Sequence, residues 1–314
     1  MTAIEVLSPG LLTTVQDLGR EGFGPLGVSP SGAADPIALR IGNRLVGNAE
    51  GAAGLEMTLL GGAFRFHGAC VVALTGSDFG ATLDGAPVST WTSFEAKTGQ
   101  TLKLGATRSG ARSYFCVQGG VVVEPFLGSA STHLLSGLGG HEGRALTKGD
   151  VLNVGGSEGT SRTDTLVCSP RALTRLAPRK ALRVTPGLQS DWFSKTALKA
   201  FYTNAYRVTE EANRMGLRLE GPAIPDGADG EMISEGVSLG AIQIAAGGLP
   251  IVLFVEQQTT GGYAKIANVI SADLPSLGQL RPRDEIRFEL VTFDMARNLL
   301  IEQEKLLASD DLIE

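Results

Sequence analysis

Pro250-Ile251-Val252-Leu253-Phe254-Val255 runs into Glu256-Gln257-Gln258-Thr259-Thr260-Gly261-Gly262-Tyr263. The short apolar run, with a proline at its start and a Gly-Gly pair beyond its end, reads as a buried strand. Its continuation sets amides, hydroxyls and a phenol beside that strand. A buried polar group without a partner costs roughly 1–3 kcal/mol, so these groups satisfy one another or face a ligand. Gly261 and Gly262 let backbone amides come close to whatever is bound there. A Gly-Gly hairpin dressed with turn-forming residues has the same pattern, and these residues alone do not separate the two readings.

The same strand signal recurs along the chain. Cys70-Val71-Val72-Ala73-Leu74, Leu102-Lys103-Leu104, Tyr114-Phe115-Cys116-Val117, Leu182-Arg183-Val184 and Ala241-Ile242-Gln243-Ile244 are short apolar runs, and the chain carries 42 glycines to turn between them. In Glu285-Ile286-Arg287-Phe288-Glu289-Leu290 the alternation predicts Ile286, Phe288 and Leu290 on one buried face. The fold is therefore mainly β, with a few helices. One helix opens at Pro36 behind an Asp35 cap, places Ile37, Ile41 and Leu45 on one stripe, and ends at Gly47-Asn48. A second is expected behind Asp191, with Trp192, Thr196, Lys199 and Phe201. A third begins near Asp294 and runs through Leu306.

A length of 314 residues suits two domains. The composition shifts between Gly155 and Arg183, where a Gly/Ser-rich phrase precedes a basic, proline-containing stretch, and this predicts domains over 1–165 and 180–314. Ser8-Pro9-Gly10-Leu11 and Thr185-Pro186-Gly187-Leu188 echo one another early in the two halves. The echo favours two related barrel-like domains.

Composition excludes several classes. A formal charge of −6, without a basic patch interleaved with aromatics, argues against nucleic-acid partners. No apolar run reaches the roughly 20 residues that span a bilayer, and the N-terminal residues carry no basic region followed by an apolar core, so a cytoplasmic location without membrane partners is expected. Cys70, Cys116 and Cys168 have no CxxC spacing and read as small hydrophobes. His67, His133 and His141 have no standard zinc spacing, so no metal site is expected.

Three clusters could carry chemistry. In Thr13 to Arg20, Asp17 and Arg20 either bind an anion together or brace a loop, while Ser29 and Ser31 either cradle an anion or cap the helix at Asp35. Gly128-Ser129-Ala130-Ser131-Thr132-His133 has the glycines and hydroxyls of an anion-binding turn, but it matches neither common nucleotide-binding motif. In Asn213 to Gly221, followed by Ser234-Glu235-Gly236 and Gly240-Ala241-Ile242-Gln243, the charges Arg214, Arg218 and Glu220 alternate along one strand face, which either lines a cleft or meets solvent.

Taken together, these phrases are similar to one family. Pro9 to Arg20, Ser31-Gly32-Ala33-Ala34-Asp35, Leu45-Val46-Gly47-Asn48, Leu74-Thr75-Gly76-Ser77-Asp78, Asn213 to Gly221 and Gln258 to Tyr263 resemble, in order, the C subunit of bacterial ATP-dependent 5-oxoprolinase. The family is also called the biotin-dependent carboxyltransferase family or allophanate hydrolase subunit 2, and includes KipA. The resemblance implies two cyclophilin-like β-barrel domains. It also implies the A and B subunits as partners, the latter KipI-like, in a complex that opens 5-oxo-L-proline to L-glutamate with ATP. Within the same family, the alternatives are biotin-dependent carboxyl transfer to urea or another amide, and a regulatory binding module.

On this reading Gln243, Gln258, Thr259, Thr260 and Tyr263 read an amide or lactam substrate, and the Gly261 and Gly262 amides hold oxyanion charge. Arg20, Ser29 and Arg214 hold an anionic group, and Asp17, Glu220 or Glu256 acts as base or orienting group. Thr260→Ala and Arg214→Ala are expected to remove activity and leave folding intact. The chain departs from the family at Glu256, where relatives carry Asp, at Pro282-Arg283-Asp284, where they have Pro-Gly-Asp, and at Ala130, often an arginine.

Overall fold

Each of the principal apolar runs forms a strand: Cys70–Gly76, Arg112–Val117, Ala181–Pro186, Ala241–Ile244, Pro250–Leu253 and Glu285–Leu290. The computed structural model describes residues 2–156, 165–224 and 232–314, so part of the Gly/Ser-rich phrase after Gly155 lies outside the described residues. The chain divides into two units. The first comprises Met1–Arg20, Ser31–Leu176 and Leu306–Glu314, the second Glu21–Pro30 and Ala177–Lys305.

The first unit has two sheets around one core. One sheet runs Val121–Val122, Val151–Val154, Ala3–Ser8, Ala63–Phe66, Thr101–Lys103, Thr82–Leu83, Ala86–Pro87; the other runs Leu12–Gln16, Gly54–Thr58, Arg112–Val117, Cys70–Gly76, Thr92–Ala96. Phe64 and Phe66 from the first sheet meet Phe115 from the second edge-on, with ring centroids 5.5 and 6.1 Å apart. Alternate residues of each strand supply the rest of this core, including Ile4, Val6, Leu55, Val72, Leu74 and Leu102.

The helix Pro36–Leu45 forms a second core with Ala73, Tyr114 and Cys116 of the five-stranded sheet. Asp35 caps it as expected, its Oδ1 accepting from Ala38 N at 3.1 Å. Gly42 lets the helix sit close, because a Cβ there would lie 2.6 Å from Cys116 Sγ. The same core takes in Leu307 and Leu312, both fully buried, which is why the C-terminal residues count with the first unit. The division is thus not the contiguous one expected from composition. The basic stretch before 177 forms the helix Pro170–Leu176 rather than a linker, and its Ala172 joins this core.

Closure is complete in the second unit. Ala181–Pro186, Lys265–Val269, Ala241–Ile244, Pro250–Leu253, Gly216–Glu220, Tyr206–Val208 and Glu285–Leu290 form a closed barrel. Every pairing is antiparallel except that of Ala181–Pro186 with Glu285–Leu290. The helix Lys195–Thr203 stacks Phe201 on Phe288 at 4.6 Å. Ser194 caps it, with Oγ accepting from Ala197 N at 3.1 Å, whereas Asp191 lies in a preceding 3-10 turn. Ile286 and Phe288 are buried as the alternation requires, but Leu290 is 54% exposed at the strand end. The echo phrases also share a local geometry. Both lie at or just past a strand end, and a Cβ on Gly10 or Gly187 would lie 2.3 or 2.1 Å from a carbonyl oxygen, of Leu60 or Lys265.

Candidate functional site

The residues of the opening stretch part company in space. Gln257 is buried and donates Nε2 to Val237 O at 3.3 Å, while Gln258, Thr260, Gly262 and Tyr263 are exposed and Thr259 is half-buried. Thr260–Gly261 pairs with Glu235–Gly236 as a two-stranded ladder, so this hairpin arm stands outside the barrel ladder. One contact reaches back: Gln258 Nε2 donates to Gln243 Oε1 at 3.3 Å.

Gln243 is the centre of the site. It is 1% exposed, and its Nε2 has no acceptor among the described residues. That amide points at Gly261, where a Cβ would fall 2.5 Å from Nε2, so the missing side chain leaves the donor its room. Across the ladder Gln243 faces Lys265. The Lys265 Nζ lies 2.5 Å from Glu235 Oε1 and 3.8 Å from Met232 Sδ. Gln189 completes the cluster, with Nε2 donating to Glu235 Oε1 at 2.9 Å and Oε1 accepting from Lys265 N at 3.2 Å. The Lys265 ammonium, followed by the Gln189 amide, holds the Glu235 carboxyl below its usual range. The result is a buried cation and, on the residue paired with it across the ladder, a buried donor without an acceptor among the described residues.

Of the residues in this cluster, the sequence singled out Gln243, Gln258 and Gly261, set Glu235 beside the third cluster without a role, and did not mark Gln189 or Lys265. The available signal was Lys265 opening the run Ile266-Ala267-Asn268-Val269, a strand whose first residue faces inward. Gln189 follows the echo phrase directly.

Other expected site residues lie in other surroundings. Arg214 and Glu256 are both buried and bond to each other through Arg214 Nε and Glu256 Oε1, so the Glu256 carboxylate is held by an internal cation. The strand begins only at Gly216, which takes Arg214 out of the alternation. Arg218 and Glu220 point outward, Glu220 lying 3.5 Å from Arg207 with both side chains more than half exposed. Arg214, buried against Glu256, and Glu220, exposed beside Arg207, are therefore in different surroundings. Ser29 is buried, and its Oγ has no partner among the described residues; the helix cap is Asp35.

In the first unit the Gly128–Thr132 turn does receive an anion, but the anion is Asp17. Its Oδ1 accepts from Ser129 Oγ at 2.6 Å and Ser131 Oγ at 2.5 Å, and its Oδ2 from Ala130 N at 2.6 Å. Arg20, 2% exposed, donates Nε to Phe126 O at 3.2 Å and Nη2 to Ser131 O. Both residues therefore brace this turn, and Asp17 takes its hydroxyl and backbone donors. Arg144 holds Asp150 through both terminal nitrogens, at 2.7 and 3.0 Å, and Glu142 at 2.6 Å. Among the described residues no cluster of His, Cys, Asp and Glu suits a metal ion, and no helix is long and apolar enough to cross a membrane.

The chain matches the carboxyltransferase domain, subdomain A and B, over residues 26–290. It belongs to that family. As a carboxyltransferase-domain protein it is 37% identical to the C subunit of the Escherichia coli 5-oxoprolinase over 96% of each chain. It is 36% identical to the Haemophilus influenzae counterpart over 94% of each. The urea amidolyase of Kluyveromyces lactis superposes with a TM-score of 0.87 at 31% identity, covering 99% of this chain. This family member spans only 21% of that much longer chain.

Proposed function

We propose that this chain is the C subunit of a 5-oxoprolinase, a complex that opens 5-oxo-L-proline to L-glutamate at the expense of ATP. The observation that carries this reading is similarity from end to end. The two 5-oxoprolinase relatives match over 94–96% of their own length as well as of this chain. The buried cluster supports it. Lactam opening builds negative charge on the amide oxygen, and a preorganised donor in a water-poor site stabilises that charge. Gln243 Nε2 is such a donor, already stripped of water, and Gln258 fixes its orientation through the other amide atom. Phosphate chemistry is assigned to the companion subunits, since Asp17 already takes the donors of the Gly128–Thr132 turn.

Carboxyl transfer to urea or a related amide is the second reading. It is favoured by the family itself and by the superposition on the urea amidolyase. It asks for the same amide recognition, with biotin as carboxyl carrier on another domain. Reconstitution with both companion subunits separates the two. The first reading requires glutamate release that depends on both ATP and 5-oxoproline. Its absence, together with biotin-dependent fixation of bicarbonate into urea, would replace the first reading by the second.

A further inference from the structure

Lys265 and Glu235 make an ion pair of unequal depth. The lysine side chain is 4% exposed and the glutamate 40%. Lys265 opens a strand of the closed barrel, whereas Glu235 belongs to a two-residue strand paired with Thr260–Gly261. An ammonium withdrawn from water must keep an anion beside it. The anion it has comes from the shallow side, on a side chain that already meets solvent. Next to this pair lies Gln243, with a buried donor that has no acceptor among the described residues. A ligand bearing both a carboxylate and an amide carbonyl would satisfy the two groups together.

We propose that Glu235 is an internal surrogate, occupying on Lys265 the place that a substrate carboxylate takes, while the substrate's lactam carbonyl accepts from Gln243. The ligand class, a five-membered lactam with a carboxylate, rests on the oxoprolinase reading. Exchange keeps Lys265 paired throughout, so binding never exposes a lone buried charge. The displaced Glu235 turns to water and Gln189 loses one acceptor. A neutral lactam has nothing with which to displace Glu235 and can engage Gln243 only. The pair thus selects for the carboxylate.

The test is calorimetric binding of 5-oxoproline and of its neutral analogue 2-pyrrolidinone to the assembled complex, with glutamate release measured in parallel. Glu235→Gln weakens the competitor and keeps its shape, so 5-oxoproline is expected to bind about threefold more tightly, with 2-pyrrolidinone unchanged. Lys265→Met removes the cation, and 5-oxoproline is expected to weaken at least about tenfold. An affinity ratio for the two lactams that is the same in wild type and Glu235→Gln overturns the proposal, whether or not Lys265→Met folds. A shifted ratio without any glutamate release supports the carboxylate exchange and refutes the oxoprolinase reading.

Discussion

Replacing Arg214 with alanine leaves the Glu256 carboxylate, 3% exposed, without the guanidinium that now bonds to it. Removing one partner of a buried ion pair costs about 3–5 kcal/mol, because the remaining charge can neither rejoin water nor find another partner. Against a typical total stability of about 5–15 kcal/mol this is a large fraction. At about 2–4 °C per kcal/mol for a unit of this size, the melting transition should fall by about 10 °C. Scanning calorimetry of the isolated chain reads this directly in the endotherm of the second unit. The double change Arg214→Met with Glu256→Leu removes both charges and fills the volume, so it should recover more than half of the loss. An Arg214→Ala protein melting within about 2 °C of wild type would refute the assignment of this pair as a buried brace.

Other consequences can be measured separately. Burial pushes the thiols of Cys70 and Cys116 up to about 12 and that of Cys168 to about 11. All three should resist a thiol reagent at neutral pH until the chain is unfolded, since the thiolate is the nucleophile; fast labelling of the native protein would contradict this. Gly42→Ala should destabilise, although alanine is the better helix former by about 1 kcal/mol. The new methyl would meet Cys116 Sγ at 2.6 Å and Thr75 Oγ1 at 2.9 Å, and overpacking of this kind costs about 1–3 kcal/mol. Cys116→Ala in the same chain should return part of that loss in urea denaturation. The Arg144 guanidinium, helped by the Thr147 backbone N–H, holds the Asp150 carboxyl well below the usual carboxylate range. A depressed folded-state pKa contributes stability that is complete above the unfolded value near about 4 and is lost as pH falls further. Wild type should therefore outmelt Asp150→Asn near neutrality and converge with it in acid, and a gap that stays constant with pH would contradict the assignment.

The strands and the first helix were legible because their causes are local. Short apolar runs between turn residues can bury both faces only as strands, and Asp35-Pro36 sets both a cap and a starting φ. Errors came where two local choices were equivalent. Ser194 and Asp191 can each cap a helix, and the structure uses Ser194 because the 3-10 turn Ser190–Trp192 already engages Asp191. Leu290 continues the alternation of Ile286 and Phe288, yet the strand has run past the core at that point, which no periodicity reports.

The site divides along the same line. Gln243, Gln258 and Gly261 were readable because a polar or glycine residue beside an apolar run is anomalous on its own terms. Lys265 was not, since a lysine at a strand start is ordinary until the barrel closes. Only the register that sets Gln243 opposite Lys265, and the ladder that brings Glu235 to Gly261, turn scattered polar residues into one cluster. The fate of Arg214 was undecidable for the converse reason. A charge near a strand lines a cleft or pairs internally according to what the rest of the chain places against it, and here that is Glu256. By itself the sequence determined the β-rich fold and singled out Gln243, Gln258 and Gly261. Tertiary structure decided which of its charges brace a turn or a strand and which gather in the buried cluster, because burial and pairing are set by residues distant in the chain.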